Sequence, residues 1–115
     1  YHAAVKRGLI RSAHDVSEGG LAVTLAEMCF GEKAGMEITA ELSATDLYAE
    51  STGRIVIEVS SSNADAIAAH FAETGISCQK LGESTDAHSD LVIGGDSLNI
   101  LELKRAWKAP LAEYY

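Results

Sequence analysis

The sequence predicts an α+β domain in which helices pack on a mixed β-sheet. One observation is size and composition: 115 residues, 47% of them apolar and 23% charged, are typical of a globular domain that buries its own core. The other is the order of the patterns along the chain: helix, strand, helix, strand, short helix, strand, helix, three strands, helix. Without repeats or linkers, residues 1–115 are expected to form a single domain. Because the chain begins at Tyr1 rather than at methionine, we expect a piece of a longer protein.

The first half begins with a predicted helix over residues 2–10, with Ala3, Val5 and Leu9 at near-helical spacing. A short strand follows over Arg11–His14, and the polar turn DVSEGG then opens a second helix over 21–32. The apolar residues of that helix recur at the spacing of a core-facing stripe: Leu21, Leu25, Met28 and Cys29.

Two further elements complete the first half. Residues 35–39 alternate apolar with polar side chains and predict a strand. Residues 41–50 predict one short helical turn, which Ser43 or Thr45 can cap.

The second half opens with the strongest strand pattern, RIVIEV at residues 54–59, which is nearly all apolar and predicts a central strand covered on both faces. Residues 61–75 predict a helix that Ser62 or Asn63 caps and Gly75 ends. We expect three side chains to pack on the central strand: Leu25, Ile67 and Phe71.

The remaining patterns are two strands over 76–84 and 90–95, followed by a turn at 94–96 and a hairpin return through Leu98 and Ile100. The last helix carries Leu103 and Trp107 at i and i+4, and Pro110 ends or kinks it.

The chain is acidic, with 9 Lys and Arg against 17 Asp and Glu, for a net charge of −8. This balance disfavours binding to a nucleic-acid backbone or to an anionic membrane surface. Cys29 and Cys78 have neither disulfide-framework nor zinc-site spacing, and the start of the chain does not have the pattern of a signal peptide. We therefore expect a cytoplasmic protein.

The segment Ser12–Leu21, SAHDVSEGGL, leads from a polar turn directly into a helix. Backbone N–H groups at a helix start attract anions, and glycines allow a phosphate to come close. Ser17, Gly19 and Gly20 are therefore candidate nucleotide-binding residues, and Asp15 is a candidate Mg²⁺ ligand. The alternative is that Ser17 caps the helix while the two glycines permit tight packing against the sheet.

His14 and Asp15 have the residue types of a catalytic pair. However, neighbours on an extended segment point to opposite faces, so their side chains are not expected to hydrogen-bond to each other. As a general base, His14 would need a partner from elsewhere in the fold.

The segment Glu50–Arg54, ESTGR, stands just before the strongest strand, where loops leave a rigid scaffold. Ser51 and Thr52 can bind a polar ligand, and Arg54 can bind a carboxylate or phosphate. The alternative is a plain turn with an Arg–Glu surface pair. The remaining histidines, His2, His70 and His88, show no metal-ligand spacing.

Taken together, SAHDVSEGGLAVTLAEM and AESTGRIVIEV resemble the last domain of the phosphoribosylformylglycinamidine synthase family in its small-subunit form. That family combines such an AHD run with an ES run before a strand, and ends with a helix carrying a Trp-Lys pair, here Trp107-Lys108. The resemblance extends from Gly8 to about Leu111. It implies a fold like that of the C-terminal domain of aminoimidazole ribonucleotide synthetase.

The resemblance also implies an activity for the longer protein. These enzymes use ATP and Mg²⁺ to convert formylglycinamide ribonucleotide to the amidine, with ammonia supplied by a glutaminase subunit and a small bridging subunit in the complex. Each enzyme is an internal duplication, and this chain is similar to the C-terminal domain of the second half. The rest of the synthase chain would then be its principal partner, and the piece alone would be inactive.

Through the duplication, Asp15 matches a metal-binding position and Glu50-Ser51 a substrate-loop position. The resemblance places them in an auxiliary nucleotide site, with the catalytic histidine and the ATP-binding residues upstream, so no catalytic residue is assigned here. Two alternatives remain open. One is the same domain of aminoimidazole ribonucleotide or selenophosphate synthetase; the other is a structural domain that binds no turnover ligand.

Overall fold

The computed structural model describes residues 1–31, 34–112 and 114. Its elements follow the predicted order from the first helix to the last. The helices are α1 His2–Lys6, α2 Gly20–Cys29, α3 Ala44–Tyr48, α4 Ala64–Glu73 and α5 Ile100–Lys108. The strands are β1 Ser12–Asp15, β2 Gly35–Ile38, β3 Ile55–Glu58, β4 Gly82–Thr85, β5 Asp90–Ile93 and β6 Asp96–Asn99. The predicted α+β class is confirmed.

The strands form two sheets rather than one. Strands β1 and β3 pair antiparallel, with Ala13 opposite Ile57 and Asp15 opposite Ile55. The other sheet has the order β4-β2-β5-β6, in which β2 and β5 are parallel and the remaining pairs antiparallel. The second sheet is therefore mixed. Its β5–β6 pair is the predicted hairpin, but the returning strand ends at Asn99, and Ile100, which was expected to belong to it, begins α5.

The prediction that residues 54–59 form a central strand is wrong. Within the described residues β3 pairs with β1 alone, and Ile55 is 49% exposed. Beyond Ile55, the side chains alternate between the two faces of the strand and both faces are covered. Val56 packs on one apolar cluster, and Ile57 and Val59 pack on another. An almost continuous apolar run thus arose from two separate cores on either side of a two-stranded sheet.

The larger cluster lies between α2, α5 and the four-stranded sheet. Its buried residues are Val16, Leu21, Leu25, Ala26, Cys29, Ile38, Leu91 and Ile100. Three of the four residues of the predicted α2 stripe are buried here, while Met28 is half-buried. Burial, with a smaller contribution from the charge of Glu58, raises the pKa of the Cys29 thiol to about 11, so this cysteine stays protonated and unreactive.

The smaller cluster joins α1 and α4 to the β1–β3 sheet. Ala4, Ile67 and Phe71 are buried in it, so the predicted core face of α4 is correct. Leu25 belongs to the larger cluster, against which Val56 of β3 also packs. The predicted face of α1 is wrong: Ala4 is fully buried, Val5 is 43% exposed and Ala3 is exposed, because the helix ends at Lys6 and turns at Gly8 with φ +68°.

The ends of the helices and strands agree with the predictions at some positions and differ at others. Ser43 caps α3 in a capping box with Asp46, and this side-chain hydrogen bond lowers the pKa of Asp46. Asn63 stands at the N-cap of α4 without a side-chain bond, whereas Gly75 lies beyond its end with φ +70°. The predicted strand over 76–84 begins only at Gly82. The predicted extensions to Glu32, and through Glu113 and Tyr115, lie outside the described residues.

Glu58 links the two sheets. Its carboxylate accepts hydrogen bonds from Ser12 on β1 at 3.0 Å and from Ser84 on β4 at 2.9 Å. None of the helices in the described part of the chain is long and apolar enough to cross a membrane.

Gly20 sets the distance between α2 and α3. A Cβ atom at this position would lie 2.7 Å from the carbonyl oxygen of Leu47, and its φ is +69°. The tight packing allowed by this glycine is therefore against α3 and not against the sheet, which was the alternative considered from the sequence. Both the space and the backbone angle call for glycine.

Phe71→Ala is expected to destabilise the fold by about 3–5 kcal/mol, because it empties a buried position in the smaller cluster. Chemical denaturation measures the free energy of unfolding. Ile76→Ala is the control, since Ile76 is 54% exposed. Equal stability of the two variants would contradict the packing described for α4.

Gly20→Ala is expected to cost more stability than Gly75→Ala. The two glycines have nearly the same φ, +69° and +70°, but nothing lies within 4 Å of a Cβ at Gly75. Backbone strain alone costs about 1–3 kcal/mol, and Gly20→Ala adds the overlap with α3. Thermal unfolding of both variants gives the comparison. Equal losses of stability would show that α3 can move away from the added methyl group at little energetic cost.

Candidate functional site

The two segments singled out in the sequence meet at the end of the β1–β3 sheet. Asp15 and Ile55 are opposite each other, and the N–H of Val16 donates to the carbonyl of Arg54 at 2.9 Å. An open groove of about 510 Å³ lies here. It is lined by Asp15, Val16, Ser17, Glu18, Glu50, Thr52, Gly53, Arg54 and Ile55.

Asp15 lies at the mouth of this groove. Its side chain is 77% exposed, and no backbone N–H among the described residues donates to its carboxylate. Its own backbone carbonyl, by contrast, accepts from the Thr24 hydroxyl at 3.3 Å. The backbone of Asp15 is thus held by the fold, while its carboxylate is largely exposed to solvent.

The two glycines at the start of α2 do not present free N–H groups to the groove, contrary to expectation. The N–H of Gly19, the N-cap residue, donates to the Glu50 carboxylate at 2.9 Å. The N–H of Gly20 donates to the carbonyl of Ser17 at 3.0 Å. The reason is that antiparallel pairing brings a carboxylate of the same chain to the positive end of the helix.

The other predicted binding residues are divided. Ser17 lines the groove, but its side chain does not cap α2. Glu50 lines the groove as well, whereas Ser51 is exposed outside the lining and Thr52 takes its place. The structure therefore brings Asp15, Ser17 and Glu50 together.

Arg54 is turned away from a ligand and towards α3. Its guanidinium donates to the carbonyls of Asp46 at 3.3 Å and Ala49 at 3.5 Å, at the C-terminal end of that helix. It forms no ion pair with Glu50, so the surface pair considered from the sequence is wrong for the described residues. The groove is left with three carboxylates, those of Asp15, Glu18 and Glu50.

His14 has the partner from another element that the sequence could not identify. Its Nε2 lies 2.9 Å from Oε2 of Glu27 on α2, and its Nδ1 lies 2.7 Å from the backbone carbonyl of Asp15. The distance from Nδ1 to the Asp15 carboxylate is longer, 3.6 Å. The hydrogen bond to Asp15 therefore goes to its backbone.

Glu27 also reaches the last helix. Its Oε1 accepts from the indole N–H of Trp107 on α5 at 2.6 Å, and the Trp107 ring lies 5.6 Å from that of Phe30. Sequence reasoning missed Glu27. The available signal was that it is the one charged residue among the ten of α2, which indicates a specific partner.

No three His, Cys, Asp or Glu side chains converge as a metal-binding group anywhere in the ranges that the structure describes. His88 lies 3.0 Å from Glu37, and His70 lies 3.4 Å from Arg7, both away from the groove. A metal ion at Asp15 would therefore take most of its ligands from phosphate and water, as Mg²⁺ commonly does.

Comparison with known proteins finds relatives along nearly the whole chain. It is 37% identical over 111 residues to the phosphoribosylformylglycinamidine synthase subunit PurL of Lactobacillus helveticus, covering 93% of this chain. It is 31% identical over 112 residues to the same subunit of Corynebacterium aurimucosum, covering 92% of this chain. The chain spans only 14% of the length of each of these curated relatives.

A solved structure, Thermotoga maritima PurL complexed with FGAR, has the same fold over 88% of this chain and 19% of that one, with a TM-score of 0.70 and 18% identity. The model of one protein family, described as AIR synthase related protein, C-terminal domain, matches residues 1–94. That match covers both segments that form the groove and every element from α1 to β5. The chain therefore belongs to the AIR synthase related protein C-terminal domain family.

Proposed function

We propose that this chain is the last domain of a phosphoribosylformylglycinamidine synthase, a C-terminal-type domain at an auxiliary nucleotide site. The whole enzyme would convert formylglycinamide ribonucleotide to formylglycinamidine ribonucleotide with ATP. The observation that carries the proposal is that the Asp15 and Glu50 segments, remote in sequence, line one groove. The PurL relatives support the reaction, because the match to them runs through both segments.

The groove suits a cation better than a free anion. Three carboxylates line it, while the guanidinium of Arg54 is occupied by α3. A bare phosphate would be repelled, whereas Mg²⁺ bound to a nucleotide would be attracted. Asp15 would be the protein ligand of the ion. The ion would neutralise the phosphate charge, which the carboxylates of Glu18 and Glu50 would otherwise repel.

Glu50 has a separate part in this proposal. Its carboxylate occupies the N–H of Gly19, which is where the sequence predicted a phosphate. Glu50 thus fixes the loop before β3 against the start of α2 and shapes the groove. Ser17 and Thr52 are left as exposed hydroxyls that can donate to a polar ligand.

The domain supplies binding rather than bond-making groups in this proposal. The catalytic histidine and the main ATP-binding residues would belong to the rest of the synthase chain, which is the proposed partner. A glutaminase subunit and a small bridging subunit would complete a cytoplasmic complex. The net charge of −8 gives no support to a role in binding nucleic acid or anionic membranes.

A structural domain that binds no turnover ligand is the second candidate. The observation that favours it is that both glycine N–H groups already have acceptors within the chain. In that case the groove would only close a site formed by other domains. The fate of Asp15 distinguishes the two candidates.

Asp15→Asn in the whole synthase is expected to weaken Mg²⁺-ADP binding by at least about tenfold, because a neutral amide is a poorer metal ligand. The melting temperature should change little, since the Asp15 carboxylate is exposed. Calorimetric titration with Mg²⁺-ADP measures the affinity, and Asp86→Asn, outside the groove, is the control. Unaltered affinity with lost stability would remove Asp15 from the site.

The chain by itself is expected to fold and to show no synthase activity. It carries its own buried clusters, but the groove has no assigned catalytic group. An assay for ATP-dependent formation of the amidine from formylglycinamide ribonucleotide and ammonia tests this expectation. Product formation by the pure chain would contradict it.

A further inference from the structure

A line of hydrogen bonds runs from the last helix to the mouth of the groove. The indole N–H of Trp107 donates to Glu27 at 2.6 Å, and the other carboxylate oxygen of Glu27 lies 2.9 Å from Nε2 of His14. Nδ1 of His14 lies 2.7 Å from the backbone carbonyl of Asp15. Three elements, α5, α2 and β1, thus contribute to one line that ends at the candidate metal ligand.

The two middle members of this line are partly shielded from solvent. The side chains of His14 and Glu27 are 30% and 24% exposed, whereas that of Asp15 is 77% exposed. Hydrogen bonds to a charged group are stronger than neutral ones, and shielding from water strengthens them further. The middle of the line is therefore partly enclosed, whereas Trp107 at one end is 54% exposed and the Asp15 carboxylate at the other end faces solvent.

The contacts of His14 are directional. Nδ1 faces a carbonyl oxygen and Nε2 faces a carboxylate oxygen, and both kinds of oxygen only accept hydrogen bonds. These two contacts together fix the orientation of the imidazole ring beside Asp15. Loss of either oxygen would free the ring to rotate away from Asp15.

We propose that Glu27, held by Trp107, is a positioning residue that fixes His14 and through it the Asp15 peptide. The carbonyl of Asp15 is then held by His14, while the Thr24 hydroxyl is shared between this carbonyl at 3.3 Å and that of Gly20 at 3.1 Å. These contacts set the direction in which the Asp15 carboxylate leaves β1. The inference rests on the proposed function of Asp15 as a metal ligand. It assigns to α5, the last helix, a part in metal binding at a groove that it does not line.

Two variants interrupt the line at different points. Trp107→Phe removes the indole N–H and retains an aromatic ring beside Phe30. Glu27→Gln retains the shape of the side chain but replaces one of the two carboxylate oxygens, which face the indole N–H and Nε2 of His14, with an NH2 group that cannot accept a hydrogen bond. The matched control is Phe30→Leu, which disturbs the same α2–α5 contact and leaves every side-chain hydrogen bond of the line in place.

Two measurements on the isotope-labelled chain test the proposal. NMR of the imidazole nitrogens reports whether the His14 ring keeps its hydrogen bonds. Titration with Mn²⁺ and ADP, followed by broadening of the Val16 amide resonance, gives the dissociation constant for the metal, and Asp15→Asn identifies the part that depends on Asp15. Thermal unfolding of each variant separates positioning from loss of stability.

We expect Glu27→Gln to shift the His14 resonances and to raise the Mn²⁺ dissociation constant by about tenfold. Substitution of residues that orient metal ligands through hydrogen bonds typically weakens metal binding by at least this factor. Trp107→Phe should act in the same direction by a smaller factor. Phe30→Leu should lower the melting temperature while the His14 resonances and the metal affinity stay at wild-type values.

The proposal is overturned if Glu27→Gln and Trp107→Phe match wild type, or match Phe30→Leu, in both the His14 resonances and the metal affinity. Failure of the proposed function gives a different result, namely wild-type binding of Mn²⁺ that Asp15→Asn does not change. In that event shifted His14 and Asp15 resonances in the two variants still support positioning, and unchanged ones reject it.

Discussion

Hydrogen bonds between β1 and β3 bring the Ser12–Leu21 segment beside the Glu50–Arg54 segment, because their antiparallel register sets Asp15 opposite Ile55. The N–H of Val16 extends this pairing to the carbonyl of Arg54, where both chains leave the sheet. Everything described at the groove follows from that register. A slip of one residue would turn Asp15 to the other face of the sheet and separate it from the Glu50 loop.

The start of α2 is adapted to this arrangement through its two glycines. Gly20 lets α2 approach the backbone of α3, and Gly19 offers its N–H to Glu50. Arg54 completes the contact by donating to the last carbonyls of α3. Side chains of the same chain thus provide hydrogen-bond partners for the N-terminal end of α2 and the C-terminal end of α3. The carboxylates of the groove have no nearby free cation among the described residues.

Under the proposed function, this electrostatic arrangement would make binding at the groove depend on a metal ion. Without a cation, the carboxylates of Asp15, Glu18 and Glu50 oppose any phosphate. Under the proposed function, this domain would supply one protein ligand to the metal ion of a metal-nucleotide complex, and other domains would bind the remainder of the complex.

The order of the elements, the core face of α4 and the two candidate segments could be predicted from the sequence, and the cap of α3 could be narrowed to Ser43 or Thr45. Each of these features depends on neighbours a few residues apart. The position of β3 in a two-stranded sheet, and the hydrogen bond that Glu50 accepts from the N–H of Gly19, are seen only in the folded protein. The tertiary structure also decided the partners of Glu27, which come from β1 and from α5. Strand pairing and side-chain partners between distant segments depend on how the elements pack, and local spacing carries no record of that packing.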